Sequence, residues 1–169
     1  MRLTVVVDVE TTGISIHRGG RVIEVGAVAL ENGIVVDEFE SLVSTGAVIS
    51  YGAYRIHGIS EEMLQGKPAP TNVWGDFTKF VGDAALVAHN APFDRTFILH
   101  ELELIYINLT NQWHCTVRMA RQKLKQLPNH KLDTVYRYLF GDVPSTIHRH
   151  RALDDARMAA RIWAELGGR

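Results

Sequence analysis

The sequence predicts a mixed α/β fold, in which an antiparallel hairpin and parallel strands share one sheet flanked by helices. Three observations predict it. Leu3–Val9 is an almost unbroken apolar, β-branched run, as a strand buried on both faces would be. Two further strand-like runs, Arg21–Leu30 and Gly33–Val43, flank Glu31-Asn32-Gly33, whose Asn-Gly pair is a strong short-range hairpin signal. After these three strands, strand and helix patterns alternate, which calls for helices packed on a sheet.

The elements follow in order. Thr11, Thr12 and Gly13 close the first strand. Ser60 followed by Glu61, Glu62 and Met63 is a helix start, and Lys67-Pro68-Ala69-Pro70 breaks that helix. Thr71 is placed to cap a helix running to Val81, and Tyr51 and Tyr54 fall in a loop before His57. Ala85–Ala88 is a short buried strand, and Pro92 opens a helix to Ile105. Thr116–Leu124, Leu132–Phe140 and Arg151–Leu166 read as helices, the last most clearly. A short strand is expected near Trp113 and Cys115, both of which read as core rather than as a platform for a base.

Composition bounds the function. With 169 residues the chain fits one domain, 1–169, and has 46% hydrophobic and 22% charged residues. A chain of this size buries roughly 70% of its unfolded surface, so a core is attainable without staples. Its one cysteine, Cys115, excludes an internal disulfide and a multi-cysteine zinc site. No apolar run approaches the ~18 residues of a membrane span, and strand-like residues begin almost at once, so no leader is expected and the setting reads as cytoplasmic. A net charge of -1 argues against a generally basic nucleic-acid binder. Carboxylates gathered in one cation-screened pocket would account for it. There is no glycine-rich phosphate loop and no serine nucleophile on a recognisable elbow.

Those carboxylates are Asp8, Glu10, Asp94 and Asp155. Asp8 and Glu10 are alternate strand residues and share a face. Two like charges so close in an apolar strand repel and are costly to desolvate, and a hard divalent cation relieves both problems. The pair fits equally well a strand end emerging into solvent. In the last helix Ala152, Ala156, Ala159, Ile162, Trp163 and Leu166 share one face, with Asp154, Arg157, Arg161 and Glu165 opposite. Asp155 lies on the apolar stripe and needs a partner, while Asp154 points to water. An internal ion pair, or a carboxylate favoured by the helix start, accounts for Asp155 as well. Asp94 lies between the directions of Phe97 and Ile98 in its helix, but Glu101 shares that face, so periodicity does not separate the two. His150 sits on the loop entering the last helix and has a suitable pKa for taking a proton from water. By itself, among His148, Arg149 and Arg151, it reads as a surface histidine in a basic loop.

Taken together and in order, these pieces resemble the DEDDh exonucleases, the DnaQ-like family that includes the proofreading subunit of bacterial DNA polymerase III. Asp8-Val9-Glu10-Thr11-Thr12-Gly13 matches the first motif, His89-Asn90-Ala91-Pro92-Phe93-Asp94 the second, and His150-Arg151-Ala152-Leu153-Asp154-Asp155-Ala156 the third. Ile56-His57-Gly58-Ile59-Ser60 is similar to a segment between the first two. Each motif is short, but all four stand in order from Leu3 to about Leu166.

The resemblance implies a ribonuclease-H-like sheet and metal-dependent 3′→5′ removal of nucleotides from single-stranded DNA. It implies two divalent ions, Mg²⁺ or Mn²⁺, with Asp8, Glu10 and Asp155 holding one and Asp8, with Asp94 acting mainly through water, the other. His150 would be the general base. Glu10 and the Thr11-Thr12-Gly13 turn would meet the terminal sugar, with His57 and Asn90 as nucleotide contacts. A DNA polymerase subunit is an implied partner. The family's polymerase subunit carries a C-terminal polymerase-binding segment, and whether one belongs to this protein is open, since the chain ends at Arg169. RNA or very short oligonucleotides as substrate, and a binding module that has lost turnover, are the competing readings. The second conflicts with the presence of all five site residues. Arg118, Arg121, Lys123 and Lys125 read first as a solvated helix face and second as a phosphate track.

Overall fold

The computed structural model describes residues 3–167. Its strands are β1 (Leu3–Thr11), β2 (Val22–Glu31), β3 (Ile34–Leu42), β4 (Ala85–Ala88) and β5 (Trp113–Cys115). They form one sheet of order β3-β2-β1-β4-β5. β1 pairs antiparallel with β2, and β2 with β3, whereas β1–β4 and β4–β5 are parallel. The hairpin turns at Asn32 and Gly33, both at positive φ (54° and 82°), as an Asn-Gly turn requires. The mixed sheet read from the sequence is therefore present.

The helices are α1 (Tyr51–His57), α2 (Glu61–Leu64), α3 (Pro70–Val81), α4 (Ala91–Glu103), α5 (Thr116–Lys123), α6 (Leu132–Phe140) and α7 (Ala152–Glu165). They cover both faces of the sheet. Val5, Val7 and Val9 of β1 point to a core shared with Trp74 and Phe77 of α3 and Phe97, Ile98 and Leu102 of α4. Val6 points to the other core, with Val135 and Tyr136 of α6 and Met158, Ile162 and Trp163 of α7. The strand period of two thus commits odd residues of β1 to one layer and even residues to the other. Asp8 and Glu10 are even, so their side chains face the α7 layer.

Three local readings need correction. Tyr51 and Tyr54 are helical, not in a loop. Ser50 Oγ accepts the Ala53 amide at 3.2 Å, and Gly58 closes the helix at φ 69°. Thr71 does not cap α3. The cap position is Ala69, Pro70 takes the first turn where its missing N–H costs nothing, and Thr71 is already inside the helix. Asp154 does not point to water. It is buried, accepting the His148 amide at 2.8 Å and Arg157 Nη1 at 2.9 Å. Helical periodicity placed it on the polar face, but the loop preceding α7 folds back over that face. β1 also runs on to Thr11, so Asp8 and Glu10 lie within paired strand rather than at its frayed end.

Candidate active site

The site forms where the C-terminal ends of β1 and β4 meet the first turns of α4 and α7. β1 supplies Asp8 and Glu10. α7 lies directly over β2, so close that a Cβ on Gly26 would sit 2.2 Å from the Leu153 nitrogen. That approach brings Asp155, in the first turn of α7, against the carboxylate face of β1. Glu10, His150 and Asp155 each offer a ligand atom, and these atoms lie within 4.8 Å of one another. α4 packs on the opposite layer, but it starts straight after β4. Its first turn therefore hangs over the edge of the sheet, and Asp94 is buried beside Asp8.

Electrostatics show how crowded the acids are. Burial first, then Asp94 and Glu10, push the Asp8 carboxyl well above the usual carboxylate range. Burial, Glu24 and Asp94 push Glu10 up to about 8, against the opposing pull of Arg149 and Arg151. Burial pushes Asp94 up to about 8 although its own amide and that of Val9 donate to the carboxyl and oppose the rise. Acids raised by desolvation and by neighbouring charge cluster at functional sites. Asp155 is buried and pairs with Arg149, which also pairs with Asp133. His150 is half-buried at φ 62°, and burial and then Arg149 hold its ring below the usual histidine pKa.

The remaining expected residues surround this centre. Thr11 Oγ1 donates to Gly13 O at 2.8 Å, and Thr12 Oγ1 accepts the Arg21 amide at 3.0 Å, so both oxygens help to hold the turn. His57 Nδ1 accepts the Ile59 amide at 3.0 Å, which leaves Nε2 to donate to Thr11 O at 3.2 Å. The ring ties α1 to the end of β1, and only its face is free for another contact. Asn90 is exposed at φ 76° just before α4. His89 beside it bonds Thr116 Oγ1 at 2.8 Å and His130 O at 2.9 Å, and burial takes its pKa down to about 4. It acts as a neutral brace.

Sequence reasoning missed Arg149, Asp133 and Glu24. Glu24 had a usable signal: it is the one carboxylate inside the apolar run of β2, and the logic applied to Asp155 applied to it too. Its side chain is fully buried and held by Arg151 and the Ala152 amide. Of the basic run, Arg118, Arg121, Lys123 and Lys125 are all exposed, and Lys123 reaches the Leu166 carbonyl at the end of α7 at 2.5 Å. Trp113 and Cys115 lie in β5 itself, partly buried against the core.

A cluster of desolvated carboxylates with a histidine, on a mixed sheet covered by helices, defines a class: cation-dependent hydrolases of phosphate esters on a ribonuclease-H-like fold. The comparisons make it particular. The exonuclease family model (RNase_T) matches residues 5–163. The chain belongs to that exonuclease family, together with the epsilon subunits of DNA polymerase III. It is 36% identical over 171 residues to the DNA polymerase III subunit epsilon of Rickettsia typhi, covering 97% of this chain and 73% of that protein. It is also 39% identical over 158 residues to the PolC-type DNA polymerase III of Clostridium perfringens, of which it spans only 11%. Among solved structures, Exonuclease X in complex with 5′ overhanging duplex DNA aligns with a TM-score of 0.78 at 28% identity, covering 96% of this chain and 90% of that one. E. coli Exonuclease I in complex with a dA16 oligonucleotide shares the fold, with a TM-score of 0.81 at 14% identity over 97% of this chain and 40% of that one. No helix among the described residues is long and apolar enough to cross a membrane.

Proposed function

We propose that this chain removes nucleoside 5′-monophosphates from the 3′ end of single-stranded DNA, as a proofreading or repair nuclease. The observation that carries the proposal is the cluster of Glu10, His150 and Asp155, whose ligand atoms lie within 4.8 Å of one another, with Asp8 and Asp94 near enough for their charges to bear on it. The donor set fits Mg²⁺ or Mn²⁺. It is rich in hard oxygens, and burial, with like-charge repulsion at Asp8 and Glu10, raises Asp8, Glu10 and Asp94, which a cation would relieve. Asp8, Glu10 and Asp155 would hold one ion, and Asp8 with Asp94 the other. When bound, such ions supply charge that neutralises the acids and stabilises the attacking and leaving oxygens.

The protein's own groups do the rest. His150, kept neutral at rest by burial and Arg149, accepts the proton of the attacking water. The rigid Thr11–Thr12 turn and Glu10 receive the terminal sugar, with His57 and Asn90 flanking the nucleotide. Similarity to epsilon subunits supports a DNA polymerase as partner, and with it a cytoplasmic setting.

The test is digestion of 5′-labelled DNA and RNA strands in parallel, with Mg²⁺ or Mn²⁺, beside Asp155→Ala. The expected result is a ladder shortening from the 3′ end, faster on DNA, lost with EDTA and in the variant. Faster cleavage of RNA would move the substrate to RNA. No cleavage by folded, cation-loaded protein would leave a binding module.

A further inference from the structure

Glu24 is a buried acid that the proposed chemistry does not use. It sits on β2 directly opposite Glu10 in the antiparallel register, and its residue is 0% exposed. A second carboxylate beside a cation-binding one is electrostatically unfavourable, and repulsion from Glu24 adds to burial in raising Glu10. What Glu24 gains is a clamp. Its Oε1 accepts Arg151 Nε at 2.9 Å and Nη2 at 2.6 Å, and its Oε2 accepts the Ala152 amide at 3.0 Å. Both oxygens are therefore spent on the junction between the loop and α7.

That junction sets two site residues at once. Arg151 follows His150, whose positive φ is strained for a residue with a side chain, so pinning Arg151 holds the histidine in that conformation. The Arg151 carbonyl accepts the Asp155 amide at 3.0 Å, the first bond of α7, so the same clamp fixes the rotation of the helix and the direction of Asp155. Gly26, two residues along β2, lets the helix start lie flat on the strand at that point. Packing alone brings α7 to the sheet. The clamp fixes its register over Glu10.

We infer that Glu24, acting with Arg151, is a positioning residue that holds His150 and Asp155 in register with Glu10 for cation binding and turnover. The inference rests on the nuclease reading for turnover only, because cation affinity is measured without it. The experiment compares wild type, Glu24→Gln, Arg151→Gln and the double variant. Mn²⁺ affinity is measured by calorimetry, and kcat and KM on a short oligonucleotide, well below each melting temperature. Outer-shell partners of ligating groups typically change affinity or activity by 10–100-fold, so Glu24→Gln is expected to weaken Mn²⁺ binding and lower kcat by about that factor. KM should stay within about twofold, because substrate contacts are untouched. The double variant should be no worse than the poorer single, since both break one unit.

Folded single variants that bind Mn²⁺ and turn over within about twofold of wild type would overturn the inference. If Glu24→Gln does not fold, Arg151→Gln decides the matter alone, and unchanged Mn²⁺ affinity there overturns it. Weakened Mn²⁺ binding in the variants of a protein that cuts no strand would uphold the clamp and defeat the nuclease reading. Normal cutting by wild type with indifferent variants would do the reverse.

Discussion

Helix α4 carries two buried carboxylates on one face, Asp94 and Glu101, and they meet opposite fates. Glu101 is met by the fork of Arg21, with both bonds at 2.8 Å, and also accepts the Val22 amide at 2.9 Å. Every lone pair that matters has a donor, and the pair staples α4 to the start of β2. Among the described residues Asp94 has no such cation, and its charge bears on Asp8 and Glu10 instead. The difference teaches how to read a buried acid. One that is matched by a fixed arginine belongs to the scaffold, whereas several crowded together without one mark the candidate site.

The sharpest break is to neutralise each acid in turn. Asp94→Asn should lower nuclease activity by about 10³-fold or more while raising the melting temperature of the cation-free protein, because the buried carboxyl must take up a proton on folding and the amide need not. A destabilised Asp94→Asn that still cleaves would reverse the comparison. Glu101→Ala should do the opposite. It leaves Arg21 unpaired and is expected to cost about 3–5 kcal/mol of stability, read by denaturant unfolding, with Mn²⁺ affinity retained. Loss of Mn²⁺ binding without loss of stability would assign Glu101 to the site.

Acidity offers a gentler probe. Asp8, Glu10 and Asp94 hold their protons in the folded protein at pH values where the unfolded chain has released them. Their contribution to stability in EDTA is thus fully present below the unfolded pKa of about 4 and is lost as pH rises through the folded values. Those values are about 8 for Glu10 and Asp94. Cation binding needs the released form, so Mn²⁺ should stabilise most at the alkaline end. A shift in melting temperature with Mn²⁺ that is equal at about pH 5 and pH 9 would show that these acids do not bind it.

The smallest expected effect lies at α1. Ser50→Ala should cost about 1 kcal/mol through loss of the cap. Because α1 carries His57 against Thr11, KM for a short strand should rise with little change in kcat. An unchanged KM would separate α1 from the substrate.

Legibility followed distance along the chain. Asp8 with Glu10, and Asp155 on its stripe, were readable because strand and helix periods act within a few residues. α1 was not, because Tyr51–His57 has no apolar stripe and contains Gly52, so its cap and its packing on the β1 turn decide it. Asp154 was misread because the surface it faces is built by a loop rather than by its own helix.

By itself the sequence determined the mixed sheet and, apart from α1, the order of elements, since local sterics and burial periods write those into neighbouring positions, whereas Asp94 and His150 were singled out only by motifs that resemble a known family. Only the tertiary structure decided which buried acids are paired. Glu24 finds Arg151 at a separation of 127 residues and Arg21 finds Glu101 at 80, and no local pattern encodes a partner that far away. The charge balance of the site depends on those matches, because a carboxylate's pKa is set by what lies within a few ångströms of it in space, whatever its place in the chain.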